Sequence, residues 1–570
     1  MGKVKAKAEM HNRRTVAFAI VVAVAVGLLA RTGYLQLIGN DKLQQEAAKR
    51  QVRHVSVPAY RGMLLDRHGE PLAISTPMPS VYVNPQQFIQ YPDKWPVLAK
   101  ALGINQSDLE ERLQSSQHLK FIYLRRLVQP QTAREVRALK KYGVGLERAF
   151  RRYYPAADVS AQLVGFTNIS DRGQEGIELA LDEQLAGVPG ERRLLINLHQ
   201  QGVEAIGGEV KPVKPGRDVQ LSIDIRLQYL VYRELQDAVE KYQARAGSAV
   251  VMNVHTGEVV ALVNQPSFNP NDVSERFGES PRNRVVTDVL EPGSTMKIFL
   301  MAAALESGQY RLSDKIPTAP GHLRIGKYTI KDHRNYGTLD LSRVIQKSSN
   351  VGVTRIALGL DPVQQWEVLD RFGFGHLTGS EFPGEAEGKL THGSEWGRIQ
   401  QATITFGYGV SVTTLQLARA YAAIASGGTL PDVTFLKQKE QRSGTRIINE
   451  QTAQVLQSML ESVIRPEGTG YRARVSGYRV AGKTGTARKS IAGGYSEDRY
   501  YALFAGFAPA SRPEYVAVVA IDEPIGEAVS GGSVAAPVFS QIMAGTLRLM
   551  GSVPDRLKTA GVNRSKEAGS

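Results

Sequence analysis

Ser294 and Lys297 stand three residues apart in Glu291-Pro292-Gly293-Ser294-Thr295-Met296-Lys297. That spacing puts a hydroxyl and an amine on one face of a helix whose start is marked by Pro-Gly, so the two side chains can meet. A serine is a poor nucleophile until a base takes its proton, and a lysine serves as that base only when neutral. An ordinary lysine titrates near 10.4, so Lys297 needs a downward shift of about three units to act near pH 7. Burial or a second cation would supply it. Taken alone, Ser-x-x-Lys is also what an N-capping serine followed by a solvated lysine looks like. Two further elements narrow the reading. They are Ser348-Ser349-Asn350, which runs into the apolar Val351 and Val353, and Lys483-Thr484-Gly485-Thr486 on a predicted strand.

Other chemistries fit the residues less well. Cysteine is absent, which removes disulfides, thiolate metal sites and a cysteine nucleophile together. The ten histidines are scattered, none paired at metal-ligand spacing, so no metal or other cofactor is expected. Gly477 to Thr484 formally satisfies the phosphate-loop pattern G-x-x-x-x-G-K-T. Such a loop must follow a buried strand and open a helix, whereas here Arg472-Ala473-Arg474 precedes it and Gly493-Gly494 follows. The net charge of +15 suits any acidic partner and selects none.

The elements that must position these residues can be read around them. Ser248 to Val254 and Glu258 to Val263 flank His255-Thr256-Gly257, and Tyr500 to Ala508 and Tyr515 to Ile521 flank a turn at Ser511-Arg512-Pro513. Tyr478 to Thr486 supplies a fifth strand. Arg226 to Tyr242, Ser294 to Ser307 and Pro537 to Met550 read as helices. Strands at both ends of this region around a helical middle predict an α+β domain. Upstream, helical stretches near Trp95 to Leu113 and Pro130 to Tyr142 and an extended Arg53 to Pro58 carry no catalytic constellation. Lys211 to Gly216 is punctuated by two prolines and a glycine, which places the main boundary there.

The N-terminus decides the compartment. Thr15 to Ala30 is an apolar run about 24 Å long as a helix, and continuing past Arg31 through Tyr34 to Ile38 lets it span a core of about 30 Å. Lys3, Lys5, Lys7, Arg13 and Arg14 precede it, so the positive-inside rule puts residues 1–14 in the cytoplasm and the bulk outside. Leu28-Leu29-Ala30 lacks the small residue that signal cleavage needs, so an uncleaved single-pass anchor is expected.

In order and spacing, Ser294-x-x-Lys297, Ser348-x-Asn350 and Lys483-Thr484-Gly485 resemble the three active-site motifs of the penicillin-binding protein and serine β-lactamase superfamily. Arg61 to Gly69, Arg152-Tyr153-Tyr154-Pro155, Gly173 to Glu178 and Gly407 to Thr413 are similar to stretches of its class B, division-type members. The resemblance covers nearly the whole chain. It implies a transpeptidase domain with an antiparallel five-stranded sheet flanked by helices, over residues 216–550. Before it would come a non-catalytic mixed α/β pedestal over 41–215 and a transmembrane helix over 15–38, with a flexible tail over 551–570. It makes Ser294 the acylated nucleophile and Lys297 its base. Ser348 and Asn350 would relay the proton and hold the substrate amide, and Lys483, Thr484, Gly485 and Thr486 would bind a substrate carboxylate. The backbone N–H groups of Ser294 and Thr486 would form the oxyanion hole.

The implied reaction cross-links D-Ala-D-Ala stem peptides, in the inner membrane facing the periplasm during septal synthesis, with β-lactams as covalent ligands. A membrane-embedded glycan polymerase and other division proteins are the implied partners. The rival readings are a β-lactamase, for which Glu387-Gly388-Lys389-Leu390-Thr391 lacks the asparagine of the deacylation motif, a soluble carboxypeptidase, and a cell-wall scaffold. Ile298 and Thr414 stand where the family often has proline, and Val529-Ser530 where an aromatic pair is common.

Overall fold

A computed structural model describes residues 2–37, 52–196, 202–205, 210–438, 444–491, 493–526 and 529–556. A helix runs over Gly2–Leu37, and its apolar stretch His11–Gln36 is long enough to cross a membrane and has no buried residue. Leucine, valine and alanine turned outward all round a helix have a physical rationale in lipid and none in water. Ile38, the last residue of the expected span, lies outside the described residues.

The chain divides into two compact units, and neither is one continuous stretch. One comprises residues 1–60, 78–149 and 187–215. It contains an antiparallel sheet of Val52–Val57, Gly190–Ile196 and Gly202–Ala205, and a second with Ser80–Val83 between Ile122–Arg125 and Val144–Glu147. Helices Trp95–Leu102, Gln106–Ser115 and Pro130–Arg137 bury Leu98, Leu109, Leu113 and Val136 with Phe88, Val81 and Val83. The single helical stretch expected from Trp95 to Leu113 is two helices. Gly103 takes a left-handed φ of 62° and ends the first.

The other unit comprises residues 61–77, 150–186 and 216–570. A single cut near residue 215 therefore differs from the fold, because two earlier segments belong with the later one. Leu64–Leu65 pairs with Pro71–Pro77 on one side and, in parallel, with Val219–Gln220 on the other, while Phe150–Tyr153 pairs with Pro71–Pro77. Arg61, Arg152 and Glu178 form a buried ionic core in these segments: Glu178 accepts from Arg61 Nε (2.7 Å) and Arg152 Nε (2.6 Å), and the partly exposed Asp182 takes Arg61 Nη1 at 2.6 Å. A composition shift along the chain carries no information about such long-range pairing.

The sheet of this unit contains β1 (Ala246–Asn253), β2 (Val259–Gln265), β3 (Ala481–Ile491), β4 (Gly494–Ala508) and β5 (Tyr515–Asp522), all antiparallel in the order β2-β1-β5-β4-β3. Side chains alternate between its faces. Ala249 and Val251 pack with Leu227, Val231 and Leu235 of helix α1 (Ile225–Lys241), and with Phe539 and Ile542 of the C-terminal helix Ala535–Leu549. Val250 and Met252 face the larger core that holds helices α2 (Lys297–Glu306), α3 (Asn350–Ala357) and α4 (Thr414–Ala425). The fifth strand expected over Tyr478 to Thr486 starts later and runs on, because its pairing with β4 continues through Arg488↔Tyr500 to Ile491↔Gly494. Residues 551–556, read in sequence as the start of a loose tail, are tied down. Asp555 accepts from Arg479 N (2.7 Å) and Ser511 Oγ (2.6 Å), and the Ser552 carbonyl accepts from Tyr478 OH (2.7 Å). Residues 557–570 lie outside the described residues.

Candidate active site

Ser294 occupies a 3-10 turn, Gly293–Met296, that leads directly into α2 at Lys297. The helix predicted from Ser294 thus begins with a tighter turn. Gly293 carries a φ of 57°, and a Cβ there would lie 3.0 Å from the Thr486 carbonyl. The turn is pressed against β3, where a Cβ on Gly485 would be 2.8 Å from the Pro292 carbonyl. Gly407 closes the other side, since a Cβ there would sit 2.2 Å from the Gly293 carbonyl. Three glycines thus let the serine turn, the edge strand and the Gly407-Tyr408-Gly409 loop approach more closely than any side chain allows.

Lys297 and Lys483 are fully buried. Lys297 Nζ donates to the Ser348 carbonyl (2.6 Å) and to Asn350 Oδ1 (2.6 Å), and lies 3.1 Å from Ser348 Oγ. Lys483 Nζ reaches the same Oγ at 3.0 Å and the Thr484 carbonyl at 3.3 Å. The Ser348 hydroxyl therefore bridges the two amines. It is held there by a backbone φ of 58°, a strained value for serine. Among the described residues no hydrogen bond joins Lys297 to Ser294; the acceptors of residues 348–350 occupy the amine instead.

Burial drives the Lys297 amine well below the ordinary lysine range, and the Lys483 charge pushes it further against a smaller opposing pull from Asp332. Burial alone brings Lys483 down to about 7. Thr484 Oγ1 donates to Thr469 Oγ1 (3.0 Å), and Thr486 Oγ1 accepts from Gly531 N (3.0 Å), leaving its own hydrogen free to donate. The sequence-predicted residues Ser348, Asn350, Lys297, Lys483 and Thr484 form one connected network, with Ser294 at the head of the helix that carries Lys297.

Asp332 was not among the residues picked out from sequence. Its carboxylate accepts from Ser349 Oγ (2.6 Å), Asn350 N (2.5 Å) and Val351 N (3.0 Å) at the start of α3. It fixes the turn from which Ser348 and Asn350 project. Nothing in its local sequence marks it, because its partners lie a loop away. Glu291 is a second omission: it accepts from Gly409 N (2.8 Å) and Tyr495 OH (3.0 Å), and Tyr408 OH accepts from Arg488 N (3.1 Å), tying that loop to both the serine turn and β3. Glu387, weighed as a hydrolytic base, has an exposed side chain, and its carbonyl accepts from Gln416 Nε2 (2.7 Å). The Gly477 to Thr484 stretch runs into β3, and no helix opens after it, so the phosphate-loop geometry is absent.

Residues 247–544 match the penicillin-binding protein transpeptidase domain, and residues 56–221 the penicillin-binding protein dimerisation domain. The chain is 41% identical over 549 residues to the peptidoglycan D,D-transpeptidase FtsI of Escherichia coli K12, covering 95% of this chain and 92% of that one. It is 38% identical to the probable peptidoglycan D,D-transpeptidase PenA of Neisseria meningitidis serogroup A, covering 97% and 96%. Among solved structures, a peptidoglycan synthetase from Bifidobacterium adolescentis superposes with a TM-score of 0.72 at 25% identity, covering 89% of this chain and 98% of that one. The transpeptidase domain of Burkholderia pseudomallei penicillin-binding protein 3 does so with 0.55 at 43% identity, covering 59% and 97%. With two buried lysines, Lys297 on the helix behind Ser294 and Lys483 on an edge strand, bridged by the Ser348 hydroxyl, and with these matches over both units, the chain belongs to the penicillin-binding protein transpeptidase family.

Proposed function

We propose that this chain is a peptidoglycan D,D-transpeptidase in which Ser294 attacks the penultimate D-Ala carbonyl of a stem peptide and the terminal D-Ala leaves. The single observation that carries the reading is the Ser348 hydroxyl lying 3.1 Å from Lys297 Nζ and 3.0 Å from Lys483 Nζ, with both amines buried. Desolvation and a neighbouring cation keep Lys297 neutral enough to take the Ser294 proton. Ser348, in contact with both amines, then carries a proton toward the leaving amine. Lys483, Thr484 and Thr486 hold the substrate carboxylate, and Asn350 the peptide amide. β3 is the edge of its sheet, so its outward N–H and C=O groups are available to an extended peptide. The Thr486 and Ser294 N–H groups serve as oxyanion donors, where losing one typically costs about 100- to 1,000-fold. An amine from a neighbouring stem peptide resolves the acyl-enzyme. A β-lactam acylates Ser294 in the same way.

The exposed apolar helix, with Arg13 and Arg14 at its start, supports a single-pass protein of the inner membrane with its N-terminus cytoplasmic and its catalytic unit periplasmic. The likeness to FtsI supports a role in septal synthesis beside a membrane-embedded glycan polymerase and other division proteins. The test is covalent labelling of the detergent-solubilised full chain by a fluorescent penicillin, with Ser294→Ala in parallel. A stable adduct that is absent from the variant is the expected outcome. Rapid release of hydrolysed drug would make the protein a β-lactamase, and no adduct at all would make it a scaffold.

A further inference from the structure

His322–Ile325 and Tyr328–Lys331 form an isolated two-stranded hairpin whose register pairs His322 with Lys331, Leu323 with Ile330, Arg324 with Thr329 and Ile325 with Tyr328. Directly opposed residues of an antiparallel pair share a face. One face is therefore Leu323, Ile325, Tyr328 and Ile330, with Ile330 buried, and the other is His322, Arg324, Thr329 and Lys331, all exposed. A two-stranded hairpin is marginally stable by itself, and like charges opposite or diagonal on one face weaken it further. No carboxylate lies within the hairpin, and among the described residues neither Arg324 nor Lys331 makes an ion pair. Arg324 Nε only reaches the Gly326 carbonyl (3.1 Å). Lys327 at the turn and Arg334 just beyond add to the same charge. The nearest carboxylate in sequence, Asp332, is turned inward onto Ser349, Asn350 and Val351.

Among the described residues, the root of this hairpin adjoins the candidate site through its backbone alone. Asn350 Nδ2 donates to the Lys331 carbonyl at 3.0 Å, while Asn350 Oδ1 holds Lys297 Nζ at 2.6 Å. The cationic face gains no ion pair among the described residues, yet its Lys331 is bonded through the backbone carbonyl to Asn350, the side chain that touches the proposed general base. We infer that the exposed His322, Arg324 and Lys331 face docks the carboxylate-bearing body of a stem peptide, outside the subsite that holds its terminal D-Ala. This rests on the transpeptidase reading above. The ligand chemistry follows from charge complementarity and from position: the hairpin is joined to Asn350, and through it to Lys297, and a stem peptide carries free carboxylates besides its C-terminus.

The experiment compares wild type with Arg324→Gln/Lys331→Gln, both as detergent-solubilised full chains. Steady-state kinetics are measured on a stem peptide ending in D-Ala-D-Ala and on the same peptide with its internal carboxylates amidated, beside labelling by an uncharged-side-chain fluorescent penicillin. The expected result is a KM for the acidic peptide raised about fivefold with kcat unchanged, as the loss of two exposed ion pairs gives. The amidated peptide should show no difference between the proteins, and penicillin labelling should be equal. Arg324→Glu/Lys331→Glu should enlarge the KM effect, and added salt should shrink the wild-type advantage. The inference fails if KM for the acidic peptide does not change, including where the variant loses only a cellular function, which would point to an acidic protein partner. It also fails if penicillin labelling drops in parallel, because the hairpin would then act only by shaping Asn350. A wild type that takes no penicillin label would overturn the transpeptidase reading first and this inference with it.

Discussion

Lys297 Nζ and Asn350 Oδ1 are 2.6 Å apart, so the amine proposed as the base for Ser294 is gripped by the side chain proposed to hold the substrate amide. Replacing that oxygen's neutral amide by a carboxylate would set an anion against the amine and favour its protonated form. Asn350→Asp should therefore slow penicillin acylation at pH 7 by about tenfold or more, each unit of upward shift removing that factor of neutral amine. The loss should recover as pH rises. Stopped-flow labelling across pH 5 to 9 measures it; an equal loss at every pH would deny Lys297 the role of base.

Lys483, brought down to about 7 by burial, gives a second limb. Its charge is present below that value and fades above it, while Lys297, shifted well below the ordinary range, must be neutral to act. For a donor peptide with a free C-terminal carboxylate, kcat/KM should fall on the acid side as Lys297 is protonated. It should fall again above about 7 as Lys483 loses its proton. Lys483→Arg, charged throughout, should lack the alkaline limb and keep the acid one. The same burial has a stability consequence. Both folded and unfolded Lys483 are protonated below about 7, so the penalty for burying the charge is then fully present, and it is relieved as pH rises from there toward 10.5. The thermal midpoint of wild type should therefore rise relative to Lys483→Met over that window.

Asp332 is a positioning residue. Its carboxylate accepts three hydrogen bonds at the start of α3, and bonds to a charged acceptor are worth about 1.5–3 kcal/mol each when lost. Asp332→Ala should lower the acylation rate constant by about tenfold or more by releasing Ser348 and Asn350. Asp332→Asn, which keeps one acceptor oxygen, should recover part of it. Circular dichroism with labelling kinetics separates this local release from general unfolding.

Gly485→Ala places a methyl group 2.8 Å from the Pro292 carbonyl and 3.0 Å from Thr295 Cγ2. The edge strand and the serine turn must then part, at about 1–3 kcal/mol of overpacking. Acylation should drop by about 100-fold, since small misplacements of a nucleophile against its oxyanion donors are that costly. Normal labelling would mean that the close approach is dispensable.

Glu178→Ala leaves Arg61 and Arg152 buried without their shared carboxylate. Breaking a buried pair from one side typically costs about 3–5 kcal/mol. The denaturant midpoint should fall accordingly, while the folded fraction should label with penicillin at the wild-type rate because none of these residues touches the site.

The residues of the candidate site were legible in the sequence because each motif is local. Ser-x-x-Lys is one helical turn, Ser-x-Asn one helix start, and Lys-Thr-Gly one strand, and the apolar alternation of the five strands announces the sheet that carries them. Their order along the chain was enough to imply the family, and the N-terminal apolar run with its preceding cations to imply an anchor. What the tertiary structure decided is everything that depends on partners distant in sequence. The bridging of Lys297 and Lys483 by Ser348, the grip of Asp332 on α3 and the glycine contacts between the serine turn and β3 join residues whose separation along the chain carries no periodic signal. The same holds for the division into units. Residues 61–77 and 150–186 join the later part of the chain through strand pairing and a buried ion cluster, which a turn-rich boundary near residue 215 cannot reveal. Local propensity and spacing name the groups, and long-range burial sets the protonation states that let them react.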